Sequence, residues 1–312
     1  MNRIYRKSPF WSLAGPLLGY LAIEGVIQFA LMFLIEMPYI VQAYTEVLSD
    51  NSGAALSMQE ILDSYMRALE PALEAIAKYQ VVIISLAALG TMILTGILFV
   101  RDRKLERQSG VKLPEKAPLP KYWTVVVFGI AGCIAATCLM AMVQLAFYDA
   151  QYQQTAQITY SAGPLVEIIG LGIITPVAEE LMFRGILYKR FRERQGFWYS
   201  AIWSALLFSF MHSSTTQMVY TSLLGVLLSY LYEKFGSLRA PVLLHILLNT
   251  GSVIFTELGV FRWLAGNPMR MAGAVIAGAF ICSAMFVLIQ KMPGSVRTGQ
   301  AADDSERPDL FR

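Results

Sequence analysis

Histidine is nearly missing from this chain: 312 residues contain two, alongside three cysteines and a charged fraction of only 15%. Each scarcity excludes something. Cys133, Cys138 and Cys282 form no Cys-x-x-Cys pair and no Cys/His metal spacing, so a disulfide framework is not expected and packing is the expected role of each. Hydrophobic residues reach 56%, with a mean hydropathy of +0.52, which excludes an ordinary soluble domain of this length. The net charge of +3 is small, and no nucleic-acid partner is expected. No internal repeat is present. The basic stretch 1–7 precedes a long apolar run without a small-residue cleavage site, so a retained first helix is expected rather than a cleaved signal peptide.

What is abundant is apolar sequence. Eight stretches approach the roughly 20 residues needed to cross a bilayer: 11–35, 81–100, 123–147, 164–188, 197–212, 218–232, 241–256 and 271–289. The expected fold is all-α, a polytopic integral membrane bundle of about eight transmembrane helices. A polar, acidic outer loop is expected over 37–79, with an amphipathic helix at 57–78 presenting Ile61, Tyr65, Leu69, Leu73 and Ile76 on one stripe. Lys and Arg concentrate in 1–7, 101–121, 189–194 and 234–239, whereas 148–163 has none. This bias predicts a multi-pass cell-membrane protein with both termini cytoplasmic. Three units follow: 1–156 with N-terminal helices, outer loop and basic linker; 157–292 carrying the polar constellation; and a polar tail at 293–312.

The few ionisable groups inside these spans are concentrated. Each costs on the order of 2.5–3.5 kcal/mol on insertion scales. Glu180 and Arg184 are four apart and can pair on one helix face, while Glu179 points about 100° away. Pro176 just before them removes a backbone hydrogen bond. Phe208 and His212 share the same spacing, as do His245 and Asn249. A free carboxylate with imidazoles and an amide suits hydrolysis: the carboxylate takes a proton from water and the other groups steady an oxyanion. Taken singly, the residues would serve equally as interhelical ties, and Glu180–Arg184 reads first as a structural pair. Glu24 and Glu167 also fall in apolar segments, close enough to span ends for solvation to suffice.

Glu-Glu-x-x-x-Arg, Phe-x-x-x-His and His-x-x-x-Asn, in that order over residues 166–253, resemble the CPBP intramembrane proteases. That family includes the type II CAAX prenyl endopeptidases and bacterial bacteriocin-processing and immunity proteins. The resemblance implies an intramembrane glutamate endopeptidase acting on a membrane-associated peptide or protein. By position, Glu179 would be the base activating water and His212 its partner. His245 and Asn249 would stabilise the oxyanion, with Glu180, Arg184 and Phe208 supporting. No cofactor is expected. Were the enzyme metal-dependent, Glu179, His212 and His245 would be the zinc ligands, although no His-Glu-x-x-His helix is present. Serine Gly-x-Ser-Gly and aspartyl Gly-x-Gly-Asp motifs are also missing. The alternatives are a catalytically inactive immunity or scaffold protein of the same fold, and a transporter using Glu and His as a proton relay. On the expected boundaries His212 falls at the outer end of its span and His245 at the inner end of its own, a conflict of depth.

Overall fold

Capping chemistry and proline set where the helices begin. The computed structural model describes residues 8–50, 57–110, 114–146, 149–159 and 162–292, and among these every regular element is helical. Helix α1 spans Pro9–Asp50 and α2 spans Met58–Gln108. A capping box starts α2: the Glu60 N–H donates to Ser57 Oγ at 3.2 Å, and the Ser57 N–H donates to Glu60 Oε2 at 2.8 Å. Two donors that a helix start leaves unpaired are thereby satisfied.

Helices α1 and α2 form a long antiparallel hairpin, with Gly19 facing Leu94 and Gly90 facing Ile27. Their 42 and 51 residues correspond to about 60 and 75 Å of helix, twice the ~30 Å of a hydrocarbon core. Most of the outer loop expected over 37–79 is therefore helix. The apolar stripe expected on 57–78 is also displaced. Ser64, Ala68, Ala72 and Ala75 form the buried edge, while Tyr65 and Leu73 are exposed. Small residues win this seam because they let the two backbones approach closely.

Pro118 caps a 3-10 turn, Leu119–Tyr122, that contains Pro120 and leads into α3, Trp123–Ala146. Helix α4 is Ala150–Thr159. Helix α5 is continuous over 164–192 but enters the π register twice: α-helical Pro164–Glu167, Thr175–Met182 and Lys189–Arg192 alternate with π-helical Ile168–Ile174 and Phe183–Tyr188. Then follow α6, Phe197–Ser209, and α7, Thr215–Phe235, which stops at Gly236 in the left-handed region (φ 58°), a common helix terminator. Helices α8, Arg239–Glu257, α9, Val260–Ala265, and α10, Pro268–Gln290, complete the described chain. The tail at 293–312 lies outside the described residues.

By length and composition five of these helices can cross a membrane: α1, α2, α3, α8 and α10. Helix α5 misses the criterion because any 18-residue window within it holds more than two charged side chains. Helix α7 is diluted by Ser, Thr, Gln and Tyr, and α6 is apolar but short. The molecule is an all-α membrane bundle. Its candidate site lies where α1, α2, α6, α7 and α8 meet α5, bordered by the buried side chains of Tyr20, Met182, Phe183, Ile186, Leu187 and Phe208.

Candidate active site

The α-helical Thr175–Met182 segment of α5 carries Glu179 and Glu180, and the next π-helical segment carries Arg184. Arg184 Nη1 donates to Glu180 Oε1 at 2.6 Å, with both side chains fully buried. Arg184 Nη2 donates to the Gly225 carbonyl of α7 at 3.2 Å, and the guanidinium lies 4.7 Å from the centre of the Phe208 ring. Residue 225 has to be glycine for this crossing: a Cβ there would stand 2.7 Å from Ala205 Cβ and 3.1 Å from Arg184 Nη2. A charged pair out of water needs such additional partners to offset its desolvation.

His245 of α8 continues the chain of contacts. Its Nδ1 lies 3.1 Å from Glu180 Oε1, and its Nε2 lies 3.6 Å from Glu179 Oε2. A carboxylate held by Arg184 accepts, so Nδ1 carries the proton and Nε2 faces Glu179. The two glutamates differ in access. The Glu180 side chain is 0% exposed and that of Glu179 is 17% exposed. Glu180 Oε2 and Arg184 Nε are buried without a hydrogen-bond partner among the described residues.

His212 lies outside the regular helix expected for it. Helix α6 ends at Ser209, and a turn follows, with the His212 N–H donating to the Ser209 carbonyl at 3.0 Å. His212 Nδ1 donates to the Phe208 carbonyl at 3.2 Å, leaving Nε2 as an acceptor. The Phe208 ring is the hub: its centre is 5.0 Å from the His212 ring, 5.8 Å from the His245 ring and 5.2 Å from the Phe183 ring. The 13 residues of α6 make about 20 Å of helix, short of the ~30 Å core. One ring nevertheless contacts both histidines, so the apparent conflict of depth between them disappears. The contacts described for Glu179 join it to His245; those of His212 join it to Phe208 and Ser209.

Asn249, one turn beyond His245, donates from Nδ2 to the Leu171 carbonyl at 3.1 Å. Among the described residues, no group of three or more His, Cys, Asp or Glu side chains is arranged to hold a metal ion, so the three-ligand set Glu179, His212 and His245 is not assembled here. The three cysteines are free thiols. Glu167 accepts from the Gly163 N–H at 3.1 Å and so caps the start of α5.

Helix α1 adds residues that the motifs do not contain. Tyr20 is buried, packs edge-on to Phe183 at 6.4 Å and hydrogen-bonds to Thr91 of α2. Tyr20 and Glu24 both lie within electrostatic reach of Glu179. Gln28 Nε2 donates to Glu24 Oε1 at 3.3 Å. Tyr20, Glu24 and Gln28 recur every four residues, and that polar stripe along an otherwise apolar helix is the signal that marked its inward face.

A membrane helix bundle enclosing a buried Glu-Arg-His cluster is the class of molecule this geometry defines. Residues 161–251 match the family model described as "Type II CAAX prenyl endopeptidase Rce1-like", so that segment is similar to the CAAX-type membrane proteases. The segment holds every residue from Glu179 to Asn249 discussed above. A Bacillus subtilis (strain 168) protein named "Putative membrane peptidase YdiL" is 26% identical over 120 residues, which are 38% of this chain and 48% of that protein. An Escherichia coli protein named "Uncharacterized 24.3 kDa protein" is 31% identical over 96 residues, 29% of this chain and 44% of its own length. The chain thus spans less than half the length of these curated relatives. No solved structure matches it.

Proposed function

We propose that this chain is an intramembrane endopeptidase that hydrolyses a peptide bond of a membrane-associated peptide or protein with a glutamate-activated water. The observation that carries the proposal is the sequence of contacts Arg184–Glu180–His245–Glu179, in which only the last carboxylate is partly exposed. A structural ion pair needs Glu180 and Arg184 alone; it does not need an imidazole fixed in one tautomer and aimed at a second, accessible carboxylate.

In this reading water attacks the scissile carbonyl carbon and gives its proton to Glu179, as a positioned general base requires. The tetrahedral oxyanion accepts a hydrogen bond from the second N–H of Asn249, beside the His245 ring whose Nε2 faces Glu179. Collapse expels the amine, which takes the proton from Glu179. Glu180 and Arg184 hold the tautomer and orientation of His245. His212, with Nε2 as acceptor beside the shared Phe208 ring, supports the attacking water. The basic clusters put both termini and the 189–194 end on the cytoplasmic side.

The test is proteolysis by the purified full chain in vesicles, using membrane-anchored peptide libraries that include prenylated CAAX peptides. Glu179→Gln should lower cleavage about 10²–10⁴-fold while the variant still unfolds near the wild-type temperature. Undiminished cleavage would sink the assignment, and no cleavage by the wild type would favour the scaffold alternative. Insensitivity to chelators is expected of a mechanism that runs on these side chains alone.

A further inference from the structure

Where α5 passes from the π to the α register, the Leu171 and Gly172 carbonyls both look to the one donor of residue 176, and proline removes it. In the π-helical stretch a carbonyl is answered five residues on, as the Thr175 N–H answers Gly170. The next donor in that register, for Leu171, is residue 176. In the α register the same residue would answer Gly172, and proline has no N–H. Both carbonyls are answered from α8 instead. Asn249 Nδ2 donates to Leu171 O at 3.1 Å, and Thr250 Oγ1 donates to Gly172 O at 3.2 Å.

This docking depends on a close approach. A Cβ at Gly172 would stand 2.6 Å from Thr250 Oγ1 and 3.3 Å from the Thr250 Cα. Within a bilayer there is no water to replace a lost partner, so broken helices survive only where neighbouring side chains re-satisfy them. His245 lies one turn before Asn249, on the same face of α8. The height and rotation at which α8 docks therefore decide where His245 meets Glu179 and Glu180.

We infer that Thr250 is a positioning residue: with Asn249 it docks α8 onto the Leu171 and Gly172 carbonyls at the Pro176 break, and this contact holds His245 against the glutamate pair. Its effect on cleavage rests on the proteolytic reading above; the docking itself does not.

A double-mutant cycle in the full chain tests it, combining Thr250→Val, which removes only the hydroxyl, with Pro176→Ala, which returns one N–H to α5. Two readouts are taken, the thermal unfolding midpoint in detergent and the kinetics of peptide cleavage. Thr250→Val should lower the midpoint by about 2–4 °C, and by less than half as much in the Pro176→Ala background. Asn249→Leu should show the same partial relief of its midpoint loss. Cleavage by Thr250→Val should fall in kcat by up to about 100-fold with KM unchanged, and recover toward the Pro176→Ala level in the double variant. Thr250→Ser, which keeps the hydroxyl, should behave as wild type. Equal losses in both backgrounds, or a Ser variant as impaired as Val, overturn the inference. If no form cleaves peptide, the proteolytic reading fails while the midpoints still decide the docking. If Pro176→Ala does not fold, the contrast between Ser and Val decides it.

Discussion

Glu179 and Glu180 share a side chain and differ only in the direction each leaves α5. That difference seals one against Arg184 and leaves the other facing His245 with part of its surface open. The stability consequences should diverge accordingly. Arg184→Met strands a fully buried carboxylate and should cost about 3–5 kcal/mol, whereas Glu179→Gln should stay within about 1 kcal/mol of wild type; chemical denaturation in mixed micelles measures both. Much of this was legible in residue spacing. Four residues of helix place Arg184 beside Glu180, and the next position must diverge. That Glu179 meets His245 was not legible, because it depends on how α8 sits against α5, and no local pattern encodes that. Nor does the motif Phe-x-x-x-His reveal that one aromatic ring serves both histidines.

At the scale of elements, the sequence reads α6 as a helix through His212, but the structure ends it at Ser209 and turns. The apolar pattern continues past Ser209, so periodicity has nothing with which to mark the stop. The turn is secured from the other side by Asp149. Its carboxylate accepts from the Thr216 hydroxyl at 2.8 Å, the Thr216 N–H at 3.3 Å and the Tyr152 N–H at 3.1 Å. Gln144 adds a bond to the same Thr216 hydroxyl at 3.2 Å. The Tyr152 N–H first, and the Thr216 hydroxyl next, hold the Asp149 carboxyl below its ordinary value. A carboxylate with a depressed folded value contributes stability above its unfolded pKa of about 3.9 and loses it as pH falls through the lower folded one. The clamp should therefore persist through mildly acidic pH and release only at the acid end. Unfolding midpoints recorded from about pH 7 to 3 should show that late loss in wild type and none of it in Asp149→Asn. A flat wild-type profile would count against the clamp.

Across the whole molecule, the basic 189–194 end of α5 proves to be one half of a buried lattice. Arg190 pairs with Asp102 through two bonds of 2.8 and 3.1 Å, and Lys189 Nζ lies 3.0 Å from Glu106. Arg192 and the Tyr188 hydroxyl both donate to Glu233 at 2.6 Å. The lattice joins α2, α5 and α7 at one end of the bundle. Sequence bias identified the cluster as a marker of orientation, which counts cations and ignores acids; it could not show that the acids of α2 and α7 fold back onto it. Glu106→Gln should destabilise the chain by about 3–5 kcal/mol by stranding Lys189, and pairing it with Lys189→Met should recover most of that loss. Denaturation of the single and double variants decides this, and strictly additive losses would contradict it.

The α1/α2 hairpin is twice as long as the bilayer is thick, so a length comparable to the membrane itself must stand outside it, on the order of 30 Å. Such a post is a picket. A body approaching this face meets the hairpin before it meets the bilayer.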